Sequence, residues 1–226
     1  MSKLQKIPVS GRLAKADLVG LSPELPHKGL GAVSNPTGRF ETQKTEVFYD
    51  DWYKDEDELT PDVSLNWHRE FARTIITRNQ SPDISFDRSI NPYRGCEHGC
   101  IYCFARPSHN YLGHSAGRDF ERELYFKTNA VDLLRKELSS KNYAAAPIAL
   151  GVNTDAYQPH ERRLRLTRAL LEVLAEHNHP VTIITKSGLV RRDIDLLAPM
   201  AEKGLTRVAI SLTTLQPELA RIMEPR

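Results

Sequence analysis

Cysteine is scarce in this chain: three in 226 residues, all between positions 96 and 103. An odd count crowded into one stretch leaves little for a disulfide framework. No secretory core follows Met1-Ser2-Lys3-Leu4-Gln5-Lys6, so free thiols in a reducing, cytoplasmic compartment are expected. Long apolar runs are missing too, and none approaches the roughly 18 residues of a membrane helix. Neither sign of charge dominates. Lys and Arg number 31 against 29 Asp and Glu, for a net +2 that by itself argues neither for nor against a nucleic-acid partner. An apolar share of 40% with 27% charged residues fits an ordinary globular chain of one domain plus an extension.

What is present is concentrated in one loop, Arg94-Gly95-Cys96-Glu97-His98-Gly99-Cys100-Ile101-Tyr102-Cys103-Phe104. The spacing Cys-x3-Cys-x2-Cys puts three soft thiolate donors within reach of one object, and such donors select zinc, copper(I) or iron–sulfur clusters. Gly95 and Gly99 allow the tight curl this requires. Three thiolates leave a four-ligand set incomplete. In a cubane that leaves one iron without a protein ligand; in a zinc site it calls for a histidine, with His98, His109 and His114 as candidates. The usual second Cys or His pair of a zinc module is missing, and electron-transfer clusters normally carry four cysteines. A zinc-stabilised nucleic-acid-binding module is the alternative.

The cysteine spacing, with Tyr102 just before the third cysteine, resembles the radical S-adenosylmethionine (SAM) signature. The words around it, Ser89-Ile90-Asn91-Pro92-Tyr93-Arg94-Gly95-Cys96 and Cys103-Phe104-Ala105-Arg106-Pro107-Ser108-His109, are similar to the branch related to spore photoproduct lyase, often called DNA repair photolyase-like. The resemblance runs from about Ser81 to the end. The stretch from Gly29 to Glu41 looks like the lead-in of one subgroup of that branch. The lyases' additional hydrogen-donating cysteine, late in the chain, has no counterpart in these residues. The lyase reaction is therefore not carried over, and the substrate stays open.

Read in order, residues 1 to about 45 are rich in Gly, Pro, Ser and charge and suggest a loose or wrapping arm. An acidic stretch from Asp50 to Glu58 follows, beside the aromatics Phe48, Tyr49, Trp52 and Tyr53. Trp67, Phe71 and Ile75 recur at helical spacing, which predicts a short helix over 61–77. From Ser81 the pattern becomes strand, then helix, repeatedly. Strands are predicted at 84–91, 124–127, 147–154, 181–185 and 208–212, and helices at 129–138, 161–177, 191–203 and from Pro217 onward. That alternation predicts an α/β fold with a parallel sheet. The resemblance implies a partial (β/α) barrel, of which about four core strands are present. The expected division is an extension over 1–80 and a radical SAM core over 81–226, C-terminally incomplete, so that the chain reads as a fragment of a longer one.

In such a barrel the active rim lies at the carboxyl ends of the strands. Four groups fall there: the three cysteines; Asn153, Thr154 and Asp155; Lys186 and Ser187; Ser211, Thr213 and Thr214. The resemblance implies that Cys96, Cys100 and Cys103 hold a [4Fe-4S] cluster and that SAM chelates the open iron. Reductive cleavage then gives a 5′-deoxyadenosyl radical that takes hydrogen from a substrate. Tyr102 would lie along the adenine, Thr154 and Asp155 near the methionine amino end, Lys186 on its carboxylate and Ser211 on a ribose hydroxyl. The implied partners are SAM and an electron donor such as flavodoxin or ferredoxin, with nucleic acid a further candidate. Blander roles exist for each: a turn for Thr154 and Asp155, a solvated lysine, a small core serine, and for Glu161 an acid that merely opens a helix. The basic run Arg162, Arg163, Arg165 and Arg168, with Arg191 and Arg192, reads as a solvated helix face. Arg106, Arg118 and Arg122, nearer the cysteines, are better placed to meet phosphate.

Overall fold

A computed structural model describes residues 29–40 and 64–225. The acidic and aromatic stretch at 48–58, most of the N-terminal arm and residues 61–63 lie outside the described residues. What is described is mixed α/β. The main sheet has five strands in the order β2 (Ile76–Arg78), β3 (Arg88–Ile90), β6 (Ile148–Leu150), β7 (Val181–Thr185) and β8 (Thr206–Ile210). The four from β3 to β8 run parallel, and β2 joins antiparallel at one edge. β8 forms the other edge, so the sheet is open, and no closed barrel forms among the described residues.

Local chemistry accounts for most of these elements. β7 is a β-branched run whose Val181, Ile183 and Thr185 are buried. Helices α2 (Ala130–Leu138), α4 (Leu166–Glu176) and α5 (Ile194–Glu202) set Leu134, Leu170, Leu171, Leu174, Leu197 and Met200 against Ile90, Ile148, Leu150 and Ile183 of the sheet. Each such side chain contributes about 1.5–3 kcal/mol by leaving water. α5 stops at Gly204, whose φ of 69° favours a residue without a Cβ.

A second sheet has three strands, with β5 (Glu123–Lys127) in the middle. β5 pairs parallel with β1 (Asn66–Glu70) and antiparallel with β4 (Tyr93–Arg94). The helix predicted over 61–77 is therefore a correction: its described residues are β1, a connection and β2. Helical spacing put Trp67, Phe71 and Ile75 on one face, yet Ile75 is buried while Phe71 is 82% exposed. Trp67 instead stacks on His160, ring centroids 4.0 Å apart. The non-local ladder to β5, reinforced by Arg94 donating two hydrogen bonds to Glu70 (2.8 and 2.9 Å), decides the conformation. The helix predicted over 161–177 is also interrupted. α3 (Glu161–Leu164) and α4 are separated by Arg165 in a left-handed conformation, φ 51°. The Glu161 carboxylate turns back to accept the Thr167 N–H (3.0 Å) and so caps the second helix. α1 (Asp119–Arg122) and α6 (Pro217–Met223) complete the helices used below. Among the described residues no helix is long and apolar enough to cross a membrane.

Candidate active site

β3 and β4 deliver the cysteine loop to the carboxyl end of the parallel sheet. Its backbone is pinned at both ends. The Cys96 N–H donates to the Phe120 carbonyl (3.0 Å), and the Cys103 N–H to the Cys100 carbonyl (3.2 Å). Glu97 ties the loop to the chain after β6: its N–H donates to Gln158 Oε1 (3.0 Å), and its carboxylate accepts the His160 N–H (2.8 Å). On the other side lies the segment 29–40. Gly31 and Ala32 both donate their N–H groups to the buried Glu121 carboxylate (2.9 Å each). Arg106 pairs with the same carboxylate (2.5 Å) and donates to the Cys100 carbonyl (2.9 Å). Gly31 lies so close to the cysteine loop that a Cβ there would stand 1.7 Å from the Gly99 carbonyl oxygen. Glycine is obligatory at that approach.

Four groups from distant positions meet beside the loop. Lys186 Nζ donates to the Tyr102 hydroxyl (2.6 Å) and to Ser211 Oγ (3.3 Å), sits 5.0 Å from the centre of the Tyr102 ring, and pairs with Glu224 (2.8 Å). The Tyr102 hydroxyl also bonds Thr213 Oγ1 (2.8 Å) and the Glu224 carboxylate. Burial pulls the Lys186 ammonium down, but its bonds to Glu224 and Tyr102 outweigh this and raise it above the ordinary lysine value. Lys186 is therefore a fixed cation. Sequence patterning gave no sign of Glu224, which follows α6 and meets Lys186 only through the fold.

Asp155 and Thr154 are engaged within the rim. Asp155 accepts from Tyr157 N (2.8 Å), Thr185 Oγ1 (2.7 Å) and Lys186 N (2.8 Å), which locks the ends of β6 and β7 together. Thr154, buried, donates its hydroxyl to the Tyr93 carbonyl (3.0 Å) next to the cysteine loop. Asn153 donates to Ser108 Oγ at 3.4 Å. The basic residues divide. Arg168 binds Asp193 (3.0 Å) and Asp195 (2.7 Å), and Arg192 binds Glu161 and Asp193 (2.7 Å each), so these two brace the helices. Arg162, Arg163 and Arg165 are exposed. Arg106 and Arg118 spend their guanidinium groups on Glu121 and on backbone carbonyls.

The donor set suits an iron–sulfur cluster. Cys96 and Cys100 are buried and Cys103 is half-buried, in a small apolar cluster where Ala105 and Phe120 pack with Cys96 and Cys103. Burial, then the Asp155 carboxylate, pushes the Cys96 thiol far up; burial raises Cys100 against the pull of Lys186. Buried thiols of this kind give up their protons to a coordinated cation. Among the described residues no three or more of His, Cys, Asp and Glu are arranged to hold one metal ion. Of the candidate zinc histidines, His109 Nε2 bonds the Glu123 carbonyl (2.8 Å), His114 Nε2 bonds the Tyr125 hydroxyl (2.6 Å), and His98 Nε2 lies 3.6 Å from Asp155.

His109 carries a pH prediction. Burial pushes its imidazole down to about 4 from an ordinary 6.5. Between those values the unfolded chain binds a proton that the folded chain refuses. The contribution to stability is complete above about pH 6.5 and is lost as pH falls to about 4, roughly 3 kcal/mol in all. Urea melts should show the wild type losing stability over that window more steeply than His109→Gln, which keeps a donor for the Glu123 carbonyl. Parallel pH profiles would refute the assignment.

These features define a class: an α/β protein with a three-thiolate loop and a fixed cation on the carboxyl rim of a parallel sheet. The family follows from comparison. The radical SAM superfamily model matches residues 90–226, and the chain belongs to that superfamily. An uncharacterised protein of Mycobacterium tuberculosis strain H37Rv is 43% identical over 163 residues, 71% of this chain and 47% of the relative. An uncharacterised protein of Methanocaldococcus jannaschii is 29% identical over 60% of this chain and 48% of its own. One from Acidianus two-tailed virus is 26% identical over 64% of this chain and 48% of its own. The chain thus spans about half the length of the curated relatives it matches. No solved structure matches it significantly.

Proposed function

We propose that this protein reductively cleaves SAM at a [4Fe-4S] cluster held by Cys96, Cys100 and Cys103, and directs the resulting radical at a substrate. When bound, the cluster supplies the electron that breaks the sulfur–C5′ bond, giving methionine and a 5′-deoxyadenosyl radical that takes a hydrogen atom from the substrate. The observation that carries the reading is the meeting of Tyr102, Lys186 and Ser211, separated by 84 and 25 residues from Lys186 in sequence, beside the cysteine loop. In this reading Lys186 offers its ammonium to the methionine carboxylate, the Tyr102 ring lies along the adenine, and Ser211 bonds a ribose hydroxyl. Asp155 and Thr154 face the methionine amino end and hold the rim rigid. The parallel run from β3 to β8 is then a segment of the partial (β/α) barrel used by such enzymes. The words flanking the cysteines support a place in the branch related to spore photoproduct lyase. A small flavoprotein or ferredoxin is the electron donor this chemistry calls for.

Anaerobic reconstitution tests the proposal. About four irons per chain are expected, with 5′-deoxyadenosine formed from SAM and a reductant. Stoichiometric zinc with no SAM cleavage would contradict it. A sharper expectation concerns Lys186→Met, which removes the ammonium but keeps the stem. KM for SAM should rise about tenfold, the size of one lost charge-assisted hydrogen bond, while iron content stays the same. An unchanged KM would remove Lys186 from the SAM site.

A further inference from the structure

A cavity of about 220 Å³ opens beside the cysteine loop. It begins one residue past Cys103, at Phe104 and Ala105, and Ala105 packs in the apolar cluster that includes Cys96 and Cys103. Its walls are aromatic. Phe104 and Tyr111 are 80% and 76% exposed, and Phe40 is 54% exposed, a large apolar area to leave in water. Phe40 and Tyr111 face each other at 5.3 Å between ring centroids, and the Arg39 guanidinium lies 6.0 Å from the Phe40 ring at the mouth. Two amides line the cavity. Asn110 Oδ1 is buried with no hydrogen-bond partner among the described residues, an acceptor left waiting for a donor. Asn153 Nδ2 makes one bond, a long one at 3.4 Å, and has a further N–H to give.

These groups specify a ligand. Aromatic faces take a flat ring, the orphaned acceptor calls for an N–H on its edge, and the guanidinium calls for a negative charge where the ring meets solvent. We propose that this cavity binds the substrate of the radical chemistry as a small planar ring compound with an N–H edge and an anionic group. The inference rests on the radical SAM reading for the word substrate, though not for the binding itself. Arg39 and Phe40 are specificity-determining residues here. They reach the cavity because the segment 29–40 is strapped to the core: Arg118 N–H donates to the Ser34 carbonyl (3.1 Å), Ser115 Oγ to the Pro36 carbonyl (2.6 Å), and Asn35 exchanges hydrogen bonds with Asp119 (2.5 and 3.0 Å). A wall built from outside the core can change its chemistry without disturbing the cysteine loop.

Equilibrium dialysis of the reconstituted full chain against three probes tests this. Indole-3-carboxylate has the ring, the N–H and the charge; indole lacks the charge; 1-naphthoate lacks the N–H. The first should bind about tenfold more tightly than either of the others, one lost polar contact apiece. Arg39→Gln should abolish the preference for indole-3-carboxylate over indole, and Phe40→Ala should weaken all three probes about tenfold. Both side chains are exposed, so neither change threatens the fold. No binding by the wild type, or binding indifferent to both variants, would overturn the proposal. Probe binding with these losses but no SAM cleavage in any variant would support the cavity and refute the radical reading instead.

Discussion

Glu161→Ala should lower stability by about 3 kcal/mol, the typical loss when one member of a buried charged pair is removed. The carboxylate is fully buried. It accepts from Arg192 Nη2 (2.7 Å), from the Thr167 N–H (3.0 Å) and from the Tyr93 hydroxyl. Burial, then the Glu161 charge, raises the Tyr93 phenol, which stays neutral and donating. Removal leaves a buried hydroxyl and an uncapped α4, although Arg192 keeps Asp193 (2.7 Å). The loss should spread to the site, since the Tyr93 carbonyl accepts from the Thr154 hydroxyl and Tyr93 lies three residues before Cys96. Glu161→Gln should restore part of the stability: an amide oxygen still accepts from Tyr93 and Thr167, while its NH2 faces the Arg192 guanidinium. Urea denaturation decides the matter. Equal midpoints for wild type and Glu161→Ala would contradict this role.

Gly31→Ala should have an effect of similar size for a steric reason. Its Cβ would fall 1.7 Å from the Gly99 carbonyl oxygen and 2.9 Å from the carbonyl carbon, both backbone atoms of the cysteine loop. Either the loop moves or the strap lifts away. Gly99, at φ 62°, is itself held against the Glu121 carboxylate and has little room to yield. If the strap lifts, Glu121 loses two backbone donors and keeps Arg106 alone. Two hydrogen bonds to a buried charge and the overpacking together put the cost at about 2–4 kcal/mol. Iron release to a chelator should become several-fold faster, and indole-3-carboxylate binding should fall because Phe40 moves with the strap. Wild-type rates of iron release would show that the segment only rests on the loop.

The sequence made the four parallel strands legible through a β-branched run at 181–185, apolar runs near 148 and 208, and a glycine stop at 204. Each is a local signal that the fold had no reason to override. The cysteine loop was legible for the same reason: its chemistry is written within eight consecutive positions. The errors share a cause. Trp67, Phe71 and Ile75 carry a helical period, but the ladder to β5, more than fifty residues away, outweighs it. The break at Arg165 comes from a carboxylate that turns back on its own helix, a choice made by the Tyr93 and Arg192 side chains that also want it. Of the candidates for contact with SAM, Tyr102, Lys186 and Ser211 come together; strand-end position nominated Lys186 and Ser211, and the family resemblance nominated Tyr102. Glu224, Glu121 and the strap's aromatic wall left no local trace, since their roles depend on partners far away in sequence, Tyr102 for Glu224 and Gly31 for Glu121, or on a cavity that exists only once the chain is folded.

The most direct measurement is electron–nuclear double resonance on the reduced, reconstituted protein with SAM isotopically labelled at its amino and carboxylate groups. Strong coupling of both labels to the cluster spin is predicted, because a cubane on Cys96, Cys100 and Cys103 keeps one iron free for the cofactor. Coupling to a histidine nitrogen in place of the labels would contradict it: a protein side chain would then fill the fourth position, and SAM would have no iron to bind.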